Sequence, residues 1–279
     1  MRLFAVGDLH LGSDVNRRML ATVPPHPDDW LILAGDTGET VAHLTYALDH
    51  LVPRFRQVVW VPGNHELWSA RDPDAPRGVA KYELLVEVCR RYGVLTPEDP
   101  FAIAAFGGRR LRIVPLFLLY DYSFRPPDVP LEAAVAWSRE TGVECADEHL
   151  LSPAPYPSRI AWCHARVAAT LARLEAEPPM PTVLINHFPL HRDLAVLPRI
   201  PRFSIWCGTT LTADWHRRFG TEVVVYGHLH IRRTRWLDGV RFEEVSLGYP
   251  RQWEGRIGPG DLLREIEPGA AAPEAICFG

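Results

Sequence analysis

Five short apolar runs, set far apart along the chain, constrain the fold more than any other feature of the sequence. They occupy residues 3–6, 31–34, 58–61, 183–185 and 223–226. Continuous apolar runs of this length are typical of strands that are buried on both faces of a sheet. Amphipathic helical periodicity occupies intervals between them, as in residues 41–51 and 82–92. This alternation predicts an α/β fold in which helices cover a central sheet.

The proline-rich middle of the chain, residues 96–180, departs from that alternation. Apolar segments on either side of Gly107 and Gly108 predict a β-hairpin. Two long helices are predicted after it, over about 131–151 and 158–177. In the second helix, His164 falls on an apolar face, which favours a core position for this histidine.

The predicted domain organisation is a single domain over residues 1–279. We interpret the segment at about 120–180 as a helical insertion beside the active site, because no flexible linker flanks it. A separately folding second domain is the less favoured alternative.

Composition excludes several classes of protein. The 279 residues carry a net charge of −4, and 47% are hydrophobic, as in ordinary globular proteins. No apolar run reaches the roughly 18 residues of a membrane helix, and residues 1–6 do not resemble a secretory signal, so we expect no membrane association and a cytoplasmic location. The five cysteines form no CxxC spacing, which argues against a disulfide framework or a cysteine zinc site.

The basic residues are arginines with one exception, Lys81. No Gly-Lys-Ser/Thr sequence is present, so a phosphate-binding loop of that kind is excluded. Lys81 lies in a segment that is typical of an exposed helix start. The arginines are scattered among acidic residues, which makes nucleic acid an unfavoured partner.

Each of the five apolar runs is followed by residues that can bind a metal. The blocks are Gly7-Asp8-Leu9-His10, Gly35-Asp36-Thr37-Gly38-Glu39, Gly63-Asn64-His65-Glu66, Asn186-His187 and Gly227-His228-Leu229-His230. Because the carboxyl ends of strands form the ligand crevice of an α/β sheet, we expect the blocks to converge. In extended backbone, the i, i+2 pairs Asp8/His10 and His228/His230 would each point to one side.

The donor chemistry of these blocks predicts a metal centre. Carboxylate, imidazole and amide oxygen together suit a borderline divalent metal such as Mn, Fe, Zn or Ni. Seven donors exceed what one tetrahedral ion takes, but they fit two ions if one carboxylate bridges them. The candidate ligands are Asp8, His10, Asp36, Asn64, His187, His228 and His230.

Taken in order, the blocks resemble the D-x-H, GD, GNH-[DE], H and GHxH pattern of the calcineurin-like metallophosphoesterase superfamily. The match runs from about residue 1 to 247, with 96–180 unaligned. The resemblance implies a four-layer α/β/β/α sandwich, in which two central β-sheets are flanked by helices. It also implies a centre of two divalent or mixed-valence metal ions at the edge of the sheets.

Carried over position by position, the resemblance assigns a role to each donor. Asp8, His10 and His230 would hold one ion, Asn64, His187 and His228 would hold the other, and Asp36 would bridge them. The implied reaction is attack on a phosphate ester by a hydroxide that bridges the ions. His65 would protonate the leaving group as general acid. Glu39 lies where related protein phosphatases carry an Asp that orients this histidine.

The resemblance also narrows the substrate. Ser/Thr protein phosphatases have Asp-Arg-Gly in the second block, and this chain has Gly38-Glu39-Thr40 after its Asp, which disfavours a protein phosphatase. We expect a small-molecule phosphoester, such as a nucleotide or another phosphorylated metabolite. A nuclease of the same superfamily is the alternative, and a non-catalytic scaffold is disfavoured because every ligand type is present.

Three residues outside the blocks are candidates for substrate binding. His191 follows the fourth block, and Arg202 and Trp206 precede the last one. For His191, a supporting or loop position is as well favoured as phosphate contact. For the other two, plain loop packing is at least as well favoured.

Overall fold

The computed structural model of the protein describes residues 1–69 and 75–269. Within these residues the strands are β1 (Leu3–Val6), β2 (His26–Ala34), β3 (Phe55–Val61), β4 (Ala102–Phe106), β5 (Arg109–Pro115), β6 (Thr182–Ile185), β7 (Thr221–Tyr226), β8 (Arg233–Leu237), β9 (Val240–Glu244) and β10 (Arg264–Glu267). The α-helices are α1 (Asp14–Ala21), α2 (Val41–Leu51), α3 (Asn64–Leu67), α4 (Gly78–Arg91), α5 (Ala134–Arg139), α6 (Asp147–Leu150), α7 (Arg159–Glu175), α8 (Trp215–Arg218) and α9 (Pro250–Trp253). The five predicted strands and the predicted hairpin are confirmed.

The strands form two sheets. The first has the order β10-β1-β2-β3, and the second has the order β4-β5-β6-β7-β9-β8. Strands β1, β2 and β3 run parallel, as do β5, β6, β7 and β9, whereas antiparallel strands lie at the edges of both sheets. The carboxyl ends of the central strands therefore point the same way within each sheet, as a shared site requires.

Alternating side chains hold the two sheets together. Leu3 and Ala5 of β1 belong to a buried apolar cluster formed between the sheets, with Val183 and Ile185 of β6 among its members. Phe4 and Val6 point to the opposite face and pack in a second cluster with helix residues. This period of two is the geometry of a strand that is buried on both faces. The α/β fold with two sheets flanked by helices is confirmed.

The segment between β5 and β6 corrects two sequence-based predictions. The single helix over about 131–151 is wrong: a short helical turn, α5 and α6 occupy that stretch, and Gly142 between them has φ +72°. The helix over about 158–177 is confirmed as α7. However, His164 is not in the core, because its side chain is 50% exposed and its Nε2 lies 3.0 Å from Asp121 Oδ2.

The interpretation of Lys81 as exposed is also wrong. The residue is 7% exposed near the start of α4. Its ammonium donates to the backbone carbonyls of Glu39, at 3.1 Å, and Trp68. Burial lowers the pKa of Lys81. In the part of the chain that the structure describes, no helix has the length and apolar character needed to cross a bilayer.

Candidate metal centre

The strand-end blocks from both sheets meet in one buried cluster. Asp8 and Asp36 follow β1 and β2 of the first sheet, whereas His187 and His228 follow β6 and β7 of the second. The ligand atoms of Asp8, His10 and His230 lie within 4.8 Å of one another, and so do those of Asp36, His187 and His228. Each candidate ligand is buried or nearly so: Asp8, His10, Asp36, Asn64, His187, His228 and His230.

Extended backbone was expected at the i, i+2 pairs of ligands, but the backbone at these residues is not extended. Asp8, His10, Asp36, His228 and His230 have φ between +43° and +70°, the left-handed region that is costly for residues with a side chain. His228 and His230 consequently turn toward different ligand groups. Such strain persists only where the surrounding fold over-determines it, and it is concentrated at functional sites.

Glycine next to a ligand allows the loops to approach closely. A Cβ on Gly63 would collide with the Asp36 carboxylate, and one on Gly227 would collide with Asp8. Both glycines have ordinary backbone angles, so the constraint is space and not conformation. The blocks can therefore pack carboxylate against backbone only because these positions lack side chains.

Hydrogen bonds orient two of the imidazoles. His187 Nδ1 lies 2.9 Å from the carbonyl oxygen of Ala34, and His230 Nδ1 lies 2.9 Å from Gln252 Oε1. The Gln252 oxygen is identified by the Tyr249 N–H, which donates to it at 2.8 Å. Both acceptors require a proton on Nδ1, so in the neutral ring Nε2 keeps its lone pair for a metal.

The Nε2 atoms of the histidine ligands point into the cluster. His187 Nε2 lies 3.2 Å from Asn64 Oδ1 and 3.5 Å from Asp36 Oδ2. His230 Nε2 lies 3.0 Å from Asp8 Oδ1. His228 Nε2 is buried and has no hydrogen-bond partner in the described part of the chain. A buried nitrogen without a partner is costly unless a ligand satisfies it, so this atom fits a metal ion.

Electrostatics favour the neutral, metal-binding form of three of the four candidate histidine ligands. Burial lowers the pKa of His10, His187 and His228, which keeps these rings neutral at pH 7. Burial and the nearby charge of Asp8 raise the pKa of Asp36. Burial would also raise the pKa of Asp8, but His230 and His187 outweigh it and lower that pKa. Burial would also lower the pKa of His230, but the charge of Asp8 outweighs it and raises that pKa. Two crowded carboxylates beside three neutral imidazoles are a donor set that suits divalent cations.

His65 stands beside the ligands in an environment of its own. Its Nδ1 lies 3.3 Å from Glu39 Oε1, and its Nε2 lies 3.8 Å from Asp36 Oδ2. The hydrogen bond from His65 is the largest of the effects that lower the pKa of Glu39 to about 2. The ring packs on Trp68, with 3.6 Å between ring centroids. Glu39 therefore reaches the histidine that the resemblance assigns to it.

Glu66, to which no role was assigned from the sequence, connects the second and third ligand blocks through hydrogen bonds. Its buried carboxylate accepts hydrogen bonds from the backbone N–H groups of Asp36 and Gly63, both at 2.9 Å. It also accepts from the N–H and hydroxyl of Thr37. Its position directly after His65 in the third block was the sequence signal for this function.

Asp147, in α6, is the principal site residue that sequence reasoning missed. It is 0% exposed. Its Oδ1 accepts hydrogen bonds from Asn64 Nδ2 at 2.9 Å and Trp68 Nε1 at 2.6 Å, and its Oδ2 accepts one from the Tyr120 hydroxyl at 3.0 Å. Nothing in the local sequence marks this residue, because its partners lie 79, 83 and 27 positions away.

A cavity of about 300 Å³ opens onto the cluster. Candidate ligands and His65 line it, as do residues 144–146 of the segment between β5 and β6. Leu197, Ile200, Phe203, Tyr249 and Arg251 are also among its lining residues. The proline-rich middle of the chain thus borders the space that faces the ligands.

The three candidate substrate-binding residues do not line this cavity. His191 caps a short helical turn through its Nδ1, which accepts from the Asp193 N–H at 3.2 Å. Arg202 pairs with Glu140 at 2.7 Å. Trp206 is fully buried and donates to Glu148 Oε1 at 2.8 Å. Their contacts are those of residues that hold loops in place.

Comparison with known proteins identifies relatives. The family described as calcineurin-like phosphoesterase matches residues 1–232. The [acyl-carrier-protein] phosphodiesterase PptH of Mycobacterium tuberculosis is 53% identical over 270 residues, which are 95% of this chain and 83% of that protein. The crystal structure of phosphopantetheinyl hydrolase (PptH) from the same organism superposes with a TM-score of 0.92 at 52% identity and covers 98% of both chains.

Proposed function

Because this chain belongs to the calcineurin-like phosphoesterase family, we propose that it cleaves the phosphodiester bond between a phosphopantetheine group and an acyl carrier protein. The chain is a metal-dependent hydrolase of phosphoric esters. The observation that carries the substrate proposal is the 53% identity to the acyl-carrier-protein phosphodiesterase across 95% of this chain. This substrate differs from the small metabolite expected from the sequence, because the relative's name describes a diester on a protein.

We propose that two ions occupy the cluster. Asp8, His10 and His230 would hold one ion, and Asn64, His187 and His228 would hold the other. Asp36 belongs to a ligand group with His187 and His228 and to another with His10 and His65, so its carboxylate is suited to serve both ions. When bound, the ions would supply an activated water and stabilise negative charge on the phosphoryl oxygens.

The protein's own contribution to bond cleavage rests on His65. Its Nδ1 is engaged by Glu39, and its Nε2 is on the side of Asp36. A proton on Nε2 can therefore be transferred to the departing oxygen of the carrier protein. Trp68 packs on the ring and Lys81 holds the backbone of both Glu39 and Trp68, so the imidazole has a fixed orientation.

The test uses a purified carrier protein that bears phosphopantetheine. Intact-mass measurement should show conversion to the unmodified protein, together with release of phosphopantetheine that retains its phosphate. Asp36→Asn is the inactive control. Hydrolysis of bis(p-nitrophenyl) phosphate without conversion of the carrier protein would refute the substrate. Cleavage of single-stranded DNA at a comparable rate would favour the nuclease alternative instead.

A further inference from the structure

The mouth of the cavity has a rim that combines exposed apolar and basic side chains. We define the rim as residues 196–200 together with Arg251. Val196 is 43% exposed and Ile200 is 41% exposed, although both are large apolar residues. Ile200 and Arg251 line the cavity, whereas Val196 and Arg199 lie outside the lining. The rim therefore extends beyond the space that contains the reacting groups.

The arginines of the rim are not neutralised. Arg199 and Arg251 are exposed, and within residues 1–69 and 75–269 no carboxylate lies within 4.0 Å of either guanidinium. Of the acidic residues that line the cavity in the described part of the chain, Asp36 belongs to the ligand cluster, and Glu144 is paired with Arg139 and lies 3.1 Å from His149. Arg199 and Arg251 therefore present two guanidinium groups without carboxylate partners, although the whole chain has a net charge of −4.

We infer that this rim is the docking surface for the acidic, partly apolar face of the protein that carries the phosphodiester. The inference rests on the proposed function. A small phosphoester would be held inside a cavity of about 300 Å³ and would leave Val196 and Arg199 in water. A protein substrate, by contrast, would cover both residues when its phosphodiester reaches the ligand cluster.

The composition of the rim indicates what kind of partner it fits. Unpaired arginines around a cavity attract an acidic surface and raise the association rate. Exposed Val196 and Ile200 gain from contact with apolar side chains, which the backbone of a nucleic acid does not offer. Of the macromolecules that an arginine-rich mouth attracts, an acidic protein is the one that also matches the apolar part of the rim.

The test compares two substrates in one set of variants. For Arg199→Glu, kcat/KM is measured on the phosphopantetheine-bearing carrier protein and on bis(p-nitrophenyl) phosphate. We expect the ratio of the first value to the second to fall by about tenfold, because charge reversal at an interface rim mainly slows association. Arg199→Gln should lower the ratio less. Raising the salt concentration should reduce wild-type kcat/KM on the carrier protein more than that of Arg199→Glu.

Arg110→Glu is the matched control. Arg110 is exposed, and no carboxylate of the described residues is paired with it. It lies on β5 beside the hairpin turn, whose Gly107 N–H contacts Met1, at the end of the sheets opposite the ligand cluster. This variant should keep the wild-type ratio. Thermal unfolding of each variant checks that the fold is intact.

The possible outcomes separate the two proposals. Wild-type protein that converts the carrier, with Arg199→Glu losing activity only on the carrier, supports both. An unchanged ratio of the two kcat/KM values, whether both stay at the wild-type level or both fall equally, would overturn the docking surface and leave the proposed function standing. Stronger inhibition by single-stranded DNA than by apo carrier protein would overturn it in favour of a nucleic-acid partner. Failure of the wild-type protein to convert the carrier would refute the proposed function and the docking surface with it.

Discussion

Replacing Asp147 should show how a residue outside the ligand blocks controls the metal centre. In Asp147→Ala, the donors of Asn64, Trp68 and Tyr120 lose their acceptor in a fully buried site. Each unsatisfied buried donor costs about 1–3 kcal/mol, so the three together should lower the free energy of unfolding by about 3–6 kcal/mol after partial relaxation. The Asn64 amide would also be free to rotate, and loss of such a supporting contact typically weakens metal binding by about 10–100-fold.

Asp147→Asn separates charge from geometry. Its side-chain oxygen can still accept from Asn64 and Trp68, because both of these donors bind the same oxygen, Oδ1, in the wild-type protein. Its amide then faces the Tyr120 hydroxyl, which can accept a hydrogen bond as well as donate one. We expect this variant to lose the charge-assisted part of the bonds only, about 1–2 kcal/mol.

The assay is metal affinity by competition with a chelator, together with chemical denaturation. Tyr120→Phe is the control, because it removes the bond to Oδ2 and leaves both bonds to Oδ1. We expect the metal affinity of Asp147→Ala to fall well below that of Asp147→Asn, and that of Tyr120→Phe to stay near the wild-type value. Equal affinities in folded Asp147→Ala and Asp147→Asn would refute the positioning role of the hydrogen bonds.

Four further predictions test other parts of the site. His65→Ala should retain the bound metal and lose about 10²–10⁴-fold in rate on alkyl diesters, but far less on p-nitrophenyl esters, whose leaving group needs no proton; loss of a metal ion would identify His65 as a ligand. Asp36→Asn should abolish turnover and lower metal content by elemental analysis at both proposed ion sites; retention of two ions and activity would contradict a bridge. Lys81→Met should reproduce part of the leaving-group dependence of His65→Ala, because Lys81 anchors the loops on both sides of that ring. The pKa of Glu39 is lowered from 4.5 to about 2, so its stabilising effect is complete above pH 4.5 and is lost as pH falls toward 2. The difference in unfolding free energy between wild type and Glu39→Gln should therefore shrink between pH 4.5 and pH 2. A constant difference would show that the carboxylate charge is not involved.

Local sequence predicted the elements whose environment is uniform along their length. The run Leu3–Val6 is apolar at every position because both faces of β1 are buried. A continuous apolar run therefore indicates this burial from the local sequence alone. The helix expected at 131–151 failed because composition favoured a helix while Gly142, at φ +72°, breaks it. His164 and Lys81 were misplaced for one reason: the partner that decides whether a helix residue is buried lies elsewhere in the chain.

The residues of the site also fall into two groups, those marked by the local sequence and those whose role depends on distant contacts. The blocks around Asp8, Asp36 and His228 could be found because each combines glycine with metal donors directly after a strand. Asp147 could not be found, because its function comes from contacts with residues that are remote in the sequence. Asp8, His10, His228 and His230 do lie in the ligand groups, but their backbone is left-handed and not extended as predicted.

The left-handed backbone at Asp8, His10, Asp36, His228 and His230 sets selection for stability against selection for catalysis. Glycine at any of these positions would relieve about 1 kcal/mol or more of backbone strain and would remove a candidate metal donor at the same step. A gene copy released from catalysis would therefore gain stability by losing its donors. We expect inactive descendants of this lineage to accumulate glycine or asparagine at these five positions early, while the apolar runs before them stay unchanged.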